Sequence, residues 1–140
     1  MGREQAIATV SAYYAAFNAG DMPAMLAVLT EDVVHDISQG GSDIGRARFA
    51  GFMEHMNRCY RERLADIVVM ANDDGTRAAA EFTVHGSYIA TDPGVPAGTA
   101  VARGQGYVLP AGAFFTLRGG LIARVSNHYN LREWVVQVSV

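Results

Sequence analysis

The sequence is poor in cysteine, in lysine and in long apolar runs, and each shortage excludes a class of protein. Its only cysteine, Cys59, can form neither a disulfide within the chain nor a cysteine-rich metal centre. All 11 basic residues are arginines, scattered singly through a chain of net charge −3 rather than clustered as nucleic-acid binding requires. No apolar run approaches the roughly 20 residues of a membrane helix, and the first residues lack the apolar region of a signal peptide. We therefore expect a cytoplasmic protein with no nucleic-acid or membrane partner.

The residues that are present have the balance of a folded domain. Half of the 140 residues are hydrophobic and 18% are charged. This balance is typical of globular proteins, and the length suffices for one core. Residues 1–140 are therefore predicted to form a single domain.

Three helices are predicted before the first long strand. Apolar residues recur at spacings of three and four over residues 3–18, and Gly20 provides a stop signal for this helix. Asp21 can cap a short second helix whose buried side includes Leu29. The same spacing from Gly45 to Tyr60 predicts the third helix.

The rest of the chain is expected to be mostly sheet. Segments rich in β-branched and aromatic residues are separated by turn signals, at Val33–Ser38, Leu64–Met70, Thr76–Thr91, Gly106–Leu117 and Leu121–Asn130. A connection beginning at Asp92 is expected to be mobile, as a lid would be, and residues 131–138 fit either a helical turn or a strand end. This order predicts an α+β fold in which helices cover the concave face of a curved mixed sheet and leave a cone-shaped cavity.

Asp36 and Tyr13 are candidates for proton-transfer chemistry. A carboxylate turned into an apolar cavity would have a raised pKa, and a phenol there could donate a hydrogen bond to a substrate oxygen. Strand alternation puts His35 and Asp36 on opposite faces, so at most one of them should face the cavity. A solvent-facing Asp36 and a Tyr13 that merely packs in the core are equally compatible with the pattern.

The histidines are dispersed and show no ligand spacing among themselves, so we expect no metal site. His128 lies in the polar segment Ser126–Asn130 of a strand otherwise suited to the core. This segment indicates either a ligand-facing patch, with His128 as a second candidate base, or a surface that contacts a partner subunit.

Several motifs occur together in one order: Tyr13, the turn Asn18-Ala19-Gly20-Asp21, the acid-bearing strand with Asp36, the pair Phe114-Phe115, and Gly119-Gly120. With these motifs, nearly the whole chain resembles the nuclear transport factor 2-like superfamily, and most of all its ketosteroid isomerase and SnoaL-like polyketide cyclase branch. The resemblance implies a cone-shaped α+β roll and a single SnoaL-like domain over residues 1–140.

The resemblance also suggests roles for particular residues. The oxyanion-donating tyrosine of the ketosteroid isomerases falls on Tyr13, and their base falls on Asp36 if a one-residue gap is allowed. Their second acid falls near Ala113, where this chain has none, so the resemblance does not imply steroid isomerisation. Where SnoaL-like cyclases often have an acid on the final strand, this chain has Asn127, His128 and Asn130.

The leading hypothesis is a homodimer that binds a small, mostly apolar, carbonyl-bearing molecule and catalyses proton transfer as an isomerase or cyclase without cofactors. The residues expected to line its cavity are aromatic, apolar or amide side chains: Tyr14, Phe17, Phe52, Met56, Phe82, Tyr88, Phe115, Asn127 and Tyr129. One alternative is a noncatalytic ligand-binding or dimerisation domain. Another is an epoxide-hydrolase-like enzyme in which Asp36 and Asn127 would hold a water.

Overall fold

The computed structural model describes Gly2–Val140 and confirms the α+β class. In chain order, its elements are α1 (Arg3–Ala19), α2 (Met22–Ala27), β1 (Leu29–Asp36), β2 (Ser42–Ile44), α3 (Arg46–Cys59), β3 (Tyr60–Ala71), β4 (Arg77–Tyr88), β5 (Gln105–Arg118), β6 (Leu121–Tyr129) and α4 (Leu131–Val138).

The six strands form one mixed sheet in the order β2-β1-β6-β5-β4-β3. β1 runs parallel to β6, and every other pair of neighbours is antiparallel. The two end strands, β2 and β3, are not paired with each other, so the sheet is open rather than a closed barrel. Irregular pairings in β1, β3 and β5 mark points where the sheet bends.

The first helix is attached to β3 next to an irregularity in that strand. Asp66 has a positive φ of 55°, and the pairing with β4 shifts between Ala65 and Val68. Just before it, the Asn18 side chain at the end of α1 donates to the Leu64 carbonyl and accepts from the Leu64 N–H, both at 2.9 Å. The sequence Asn18-Ala19-Gly20 thus ends the helix and also fixes its position on β3.

The helices pack on one face of the sheet, which we call the inner face; the opposite face is the outer face. α1 packs mainly against β3, α3 against β1 and α4 against β5. The Tyr13 ring on α1 contacts both Phe49 on α3 and Phe115 on β5. These rings form an aromatic core between the helices and the sheet. None of the helices in the described range is both long and apolar enough to span a bilayer.

Several element boundaries differ from the predictions. Leu29 begins β1 instead of continuing the second helix, because it pairs with Ile122 of β6. Part of the predicted loop after β1 forms the short strand β2. β3 begins at Tyr60 rather than Leu64, and residues 131–138, left open by the sequence, form helix α4.

Candidate functional site

A half-buried carboxyl group, that of Glu62, lies on the inner face at the end of the sheet where β3 begins and β4 and β6 end. Glu62 of β3 pairs with Gly86 of β4, which in turn pairs with Tyr107 of β5. The Tyr107 ring crosses over Gly86, and its hydroxyl donates to the Glu62 carboxylate at 2.6 Å. A Cβ atom on residue 86 would lie 2.2 Å from that ring, so only glycine permits the crossing.

The surroundings of Glu62 suit proton transfer. Burial raises the pKa of its carboxyl group, and the hydrogen bond from Tyr107 opposes that shift only in part. Burial and the nearby Glu62 charge raise the pKa of Tyr107, so its phenol stays protonated and remains a donor. A carboxyl group with a raised pKa on a partly exposed apolar surface is a candidate acid or base.

Other aromatic and amide side chains on the inner side are also incompletely buried. Together with Glu62 they define a region that we call the inner recess: Phe52, Tyr60, Glu62, Phe82, Asn127 and Tyr129. The pKa of Tyr129 is raised by burial first, and then by the charges of Glu62 and Asp92. The Tyr129 phenol therefore stays protonated at neutral pH.

The predicted enclosed cavity is not confirmed. Aromatic rings fill the centre of the inner face, with Tyr13 lying 5.1 Å from Tyr14 and 5.8 Å from Phe115 between ring centroids. A crevice of about 40 Å³ lies between the three N-terminal helices, where Phe17 is one of the lining residues. This volume suits little more than a water molecule.

Within Gly2–Val140, three buried side-chain atoms lack a hydrogen-bond partner: the Tyr14 hydroxyl, the Thr30 hydroxyl and His35 Nδ1. The Tyr14 hydroxyl is buried beside Phe82, whose ring centroid lies 5.1 Å away, and burial raises the pKa of this phenol. His35 is also buried, with Nδ1 unpartnered and Nε2 3.3 Å from the Asn127 amide nitrogen. Buried polar groups normally find partners, so these atoms lack hydrogen bonds that an ordered water or a ligand would supply.

The predicted base Asp36 faces the outer side of the sheet, while His35 faces inward, as alternation along β1 requires. Arg124 Nε donates to the Asp36 carboxylate at 2.7 Å, and the Ser42 and Ser126 hydroxyls also donate to it. These contacts, with Arg124 the largest contribution, lower the pKa of Asp36 to about 2. Such a carboxylate is a weak base at neutral pH, so the geometry does not favour its predicted role.

The other two predicted catalytic residues lie apart from each other. His128 is exposed on the outer face beside Phe114, with ring centroids 5.4 Å apart. Tyr13 is buried among rings, and burial raises its pKa. Asp36 and Asn127, which the epoxide-hydrolase hypothesis needs together, face opposite sides of the sheet.

The predicted lining residues divide into two groups. Tyr14, Phe52, Phe82, Asn127 and Tyr129 lie on the inner side at or beside the recess. Of the others, Phe17 lines the crevice between the helices, and Met56 is half-buried on α3. Tyr88 and Phe115 are buried in the core.

Glu62 and Tyr107 were missed in the sequence, although a signal was present. Tyr60, Glu62 and Leu64 alternate with Arg61 and Arg63, which is the two-residue period of a strand. Assigning Tyr60 to the third helix concealed that pattern. The contact between Glu62 and Tyr107 joins strands separated by 45 positions and carries no local signature.

Known proteins with similar sequences and structures agree with this fold. A crystal structure of a candidate polyketide cyclase from Pseudomonas putida KT2440 is 69% identical, covers 95% of this chain and 97% of its own, and superposes with a TM-score of 0.90. An NTF2-like protein of unknown function from Burkholderia pseudomallei K96243 is 18% identical, with coverage of 97% and 98% and a TM-score of 0.74.

A third structure extends the fold to another activity. An LEH-like epoxide hydrolase from M. tuberculosis is 17% identical, covers 97% of this chain and 90% of its own, and has a TM-score of 0.74. At this identity the likeness concerns the fold alone. None of the curated proteins matches the chain. The SnoaL-like domain matches residues 10–125, most of the chain, and the chain therefore belongs to the SnoaL-like domain family.

Proposed function

We propose that this protein binds a small, mostly apolar, carbonyl-bearing molecule in the inner recess and catalyses a cofactor-free proton transfer of the isomerase or cyclase type. The observation that carries the proposal is the Glu62 carboxyl group, with its raised pKa, its hydrogen bond from Tyr107 and its partial exposure. The family and the candidate polyketide cyclase relative support the same class of reaction.

In this proposal Glu62 is the base and Tyr14 donates to the ligand oxygen. Glu62 removes a proton from the carbon next to the carbonyl group, and the electrons of that C–H bond move into an enolate. The Tyr14 hydroxyl, which has no protein partner, stabilises the enolate oxygen, and Glu62 then returns the proton to another carbon. A matched base contributes about 10²–10⁴ in rate and an oxyanion donor about 10²–10³.

Tyr107 and Asn127 have supporting roles. Tyr107 orients the Glu62 carboxylate from across Gly86. Asn127 keeps its predicted role in ligand binding, because its amide lies on the inner face beside His35. The roles predicted for Asp36, Tyr13 and His128 remain untested predictions, and the contacts of these residues favour Glu62 and Tyr14 instead.

The deciding experiment follows exchange of solvent deuterium into a panel of apolar ketones by NMR. Glu62→Gln should slow exchange by about 10²–10⁴-fold and Tyr14→Phe by about 10²–10³-fold. Asp36→Asn and Tyr13→Phe are the matched controls and should change the rate only a few-fold. A large loss in Asp36→Asn with none in Glu62→Gln would return the base to Asp36. No exchange in the wild type, with ligand binding intact, would support the noncatalytic alternative.

A second candidate function is homodimerisation through the outer face. Four apolar side chains on this face are about half exposed: Val68 48%, Met70 49%, Val108 50% and Phe114 60%. Exposed apolar patches on a sheet are typical of protein contacts. Sedimentation analysis should give a dimer for the wild type and a monomer for Phe114→Asp, whereas a wild-type monomer would reject this candidate.

A further inference from the structure

We propose that His55, Cys59 and Asp92 form a binding site for one zinc ion. One ligand atom from each residue lies within 4.8 Å of the other two. Small movements of the side chains would bring nitrogen, sulfur and oxygen to the distances of about 2.0–2.3 Å that zinc requires. This inference goes beyond the proposed function and does not depend on it.

Local structure and one long-range contact assemble the three ligands. His55 and Cys59 are four residues apart near the end of α3, so their side chains share one face of that helix. The segment after β4 is held against the same helix end, because the N–H groups of Ile89 and Ala90 donate to the Cys59 carbonyl at 2.8 and 3.2 Å. Asp92 comes two residues after Ala90, and its Oδ1 lies 3.0 Å from His55 Nε2.

The Asp92 carboxylate is already oriented for a metal ion. The Tyr60 hydroxyl donates to its Oδ2 at 2.8 Å, and the Gly94 N–H donates to its Oδ1 at 2.8 Å. Such outer hydrogen bonds are the usual means by which proteins fix metal-binding carboxylates. Zinc would replace only the contact with His55, and the two supporting bonds would remain.

The burial of the three residues suits a site with one open coordination position. Cys59 and Asp92 are 4% and 8% exposed, whereas the His55 side chain is 34% exposed. A metal ion can therefore enter past His55 and keep one water, the arrangement of three protein ligands plus water seen in many zinc proteins. On binding, the Cys59 S–H bond breaks, its proton leaves to solvent, and the thiolate and carboxylate together balance the charge of Zn²⁺.

The site would connect α3 to the connection between β4 and β5. A metal that binds the folded chain and not the unfolded one raises stability in proportion to its concentration. Zinc should therefore raise the unfolding temperature of the protein as well as bind to it, which gives a readout independent of any enzymatic activity.

The test uses the full chain without an affinity tag and measures Zn²⁺ binding by calorimetry and Co²⁺ binding by absorbance. The expected result is one ion per chain, a thiolate-to-cobalt band in the near ultraviolet and a raised unfolding temperature. Cys59→Ser and His55→Gln should each weaken Zn²⁺ binding by at least about tenfold, and Cys59→Ser should remove the band.

The matched control is the double variant His85→Gln, His128→Gln, which changes two histidines on the outer face and should bind normally. Asp92→Asn is a further ligand variant. Asp92 also anchors its loop, so if this variant fails to fold, Cys59→Ser and His55→Gln decide the outcome. Unchanged affinity in Cys59→Ser and His55→Gln, loss in the control, or no zinc binding to the wild type would each overturn the proposal.

Discussion

The two faces of the sheet each hold a carboxyl group, and their pKa values move in opposite directions. Glu62 on the inner face has one phenol as its hydrogen-bond donor, and burial raises its pKa. Asp36 on the outer face is held by Arg124 and two serine hydroxyls, and its pKa falls to about 2. The neighbours of an acid, rather than the acid itself, therefore decide in which direction its pKa moves.

The two tyrosines of α1 offer a second comparison, which concerns their hydroxyl groups. Tyr13 and Tyr14 are adjacent in the chain and both are buried, yet the Tyr14 hydroxyl is the one identified as buried without a partner. The resemblance points to Tyr13 as the donor, whereas the unpaired buried hydroxyl points to Tyr14.

The largest effect on stability is expected at Gly86. Gly86→Ala would push Tyr107 away from Glu62 and should destabilise the fold by about 1–3 kcal/mol, measured by urea unfolding. Combining it with Tyr107→Ala should remove most of that added cost. Gly51→Ala, at an α3 position with open space around its Cβ, is the control and should be neutral or slightly stabilising. Equal costs at the two glycines would show that Tyr107 does not cross Gly86.

Removing a hydroxyl should have opposite effects at Tyr14 and Tyr107. Tyr14→Phe deletes a buried hydroxyl without a partner and should stabilise the ligand-free protein by about 1 kcal/mol, while Tyr107→Phe should destabilise it by about 1–2 kcal/mol. Thermal unfolding of both variants checks this pair. A destabilised Tyr14→Phe would mean that the hydroxyl has a partner in solution.

Glu62 should make stability fall as pH rises. Because its folded pKa is raised, the folded state holds the proton more tightly than the unfolded state, where the ordinary value is 4.5. Stability is therefore lost as pH rises from that value through the raised pKa. Unfolding curves of Glu62→Gln across that range should lack this loss, and parallel pH profiles for variant and wild type would contradict the raised pKa.

The smallest effect is expected at Asp36. Its folded pKa is lowered, so its contribution is present above the ordinary value of 3.8 and is lost as pH falls toward about 2. Asp36→Asn should cost about 1 kcal/mol at neutral pH, because Arg124 is 52% exposed and water and salt screen the pair. Added salt should shrink the difference from wild type; a cost that salt leaves unchanged would indicate a role beyond the ion pair.

Local patterns in the sequence determined most of the fold. Spacings of three and four gave the three N-terminal helices, and alternation with turn signals gave the long strands, because these periods report which side of an element is buried. The order of the elements gave the α+β class, and alternation correctly separated His35 from Asp36. The pair His55 and Cys59, four residues apart, is a local signal of possible metal ligands, because residues at this spacing share one face of a helix.

Only the tertiary structure decided which polar groups meet and which face is buried. Glu62 meets Tyr107, and Asp92 meets His55, across 45 and 37 positions of chain. Which of His35 and Asp36 turns inward depended on the pairing of β1 with β6 and on α3 packing over it. Strand periodicity divides the side chains into two sets, one for each face of the sheet. Only packing against the helices decides which set is buried, and burial in turn shifts the pKa values.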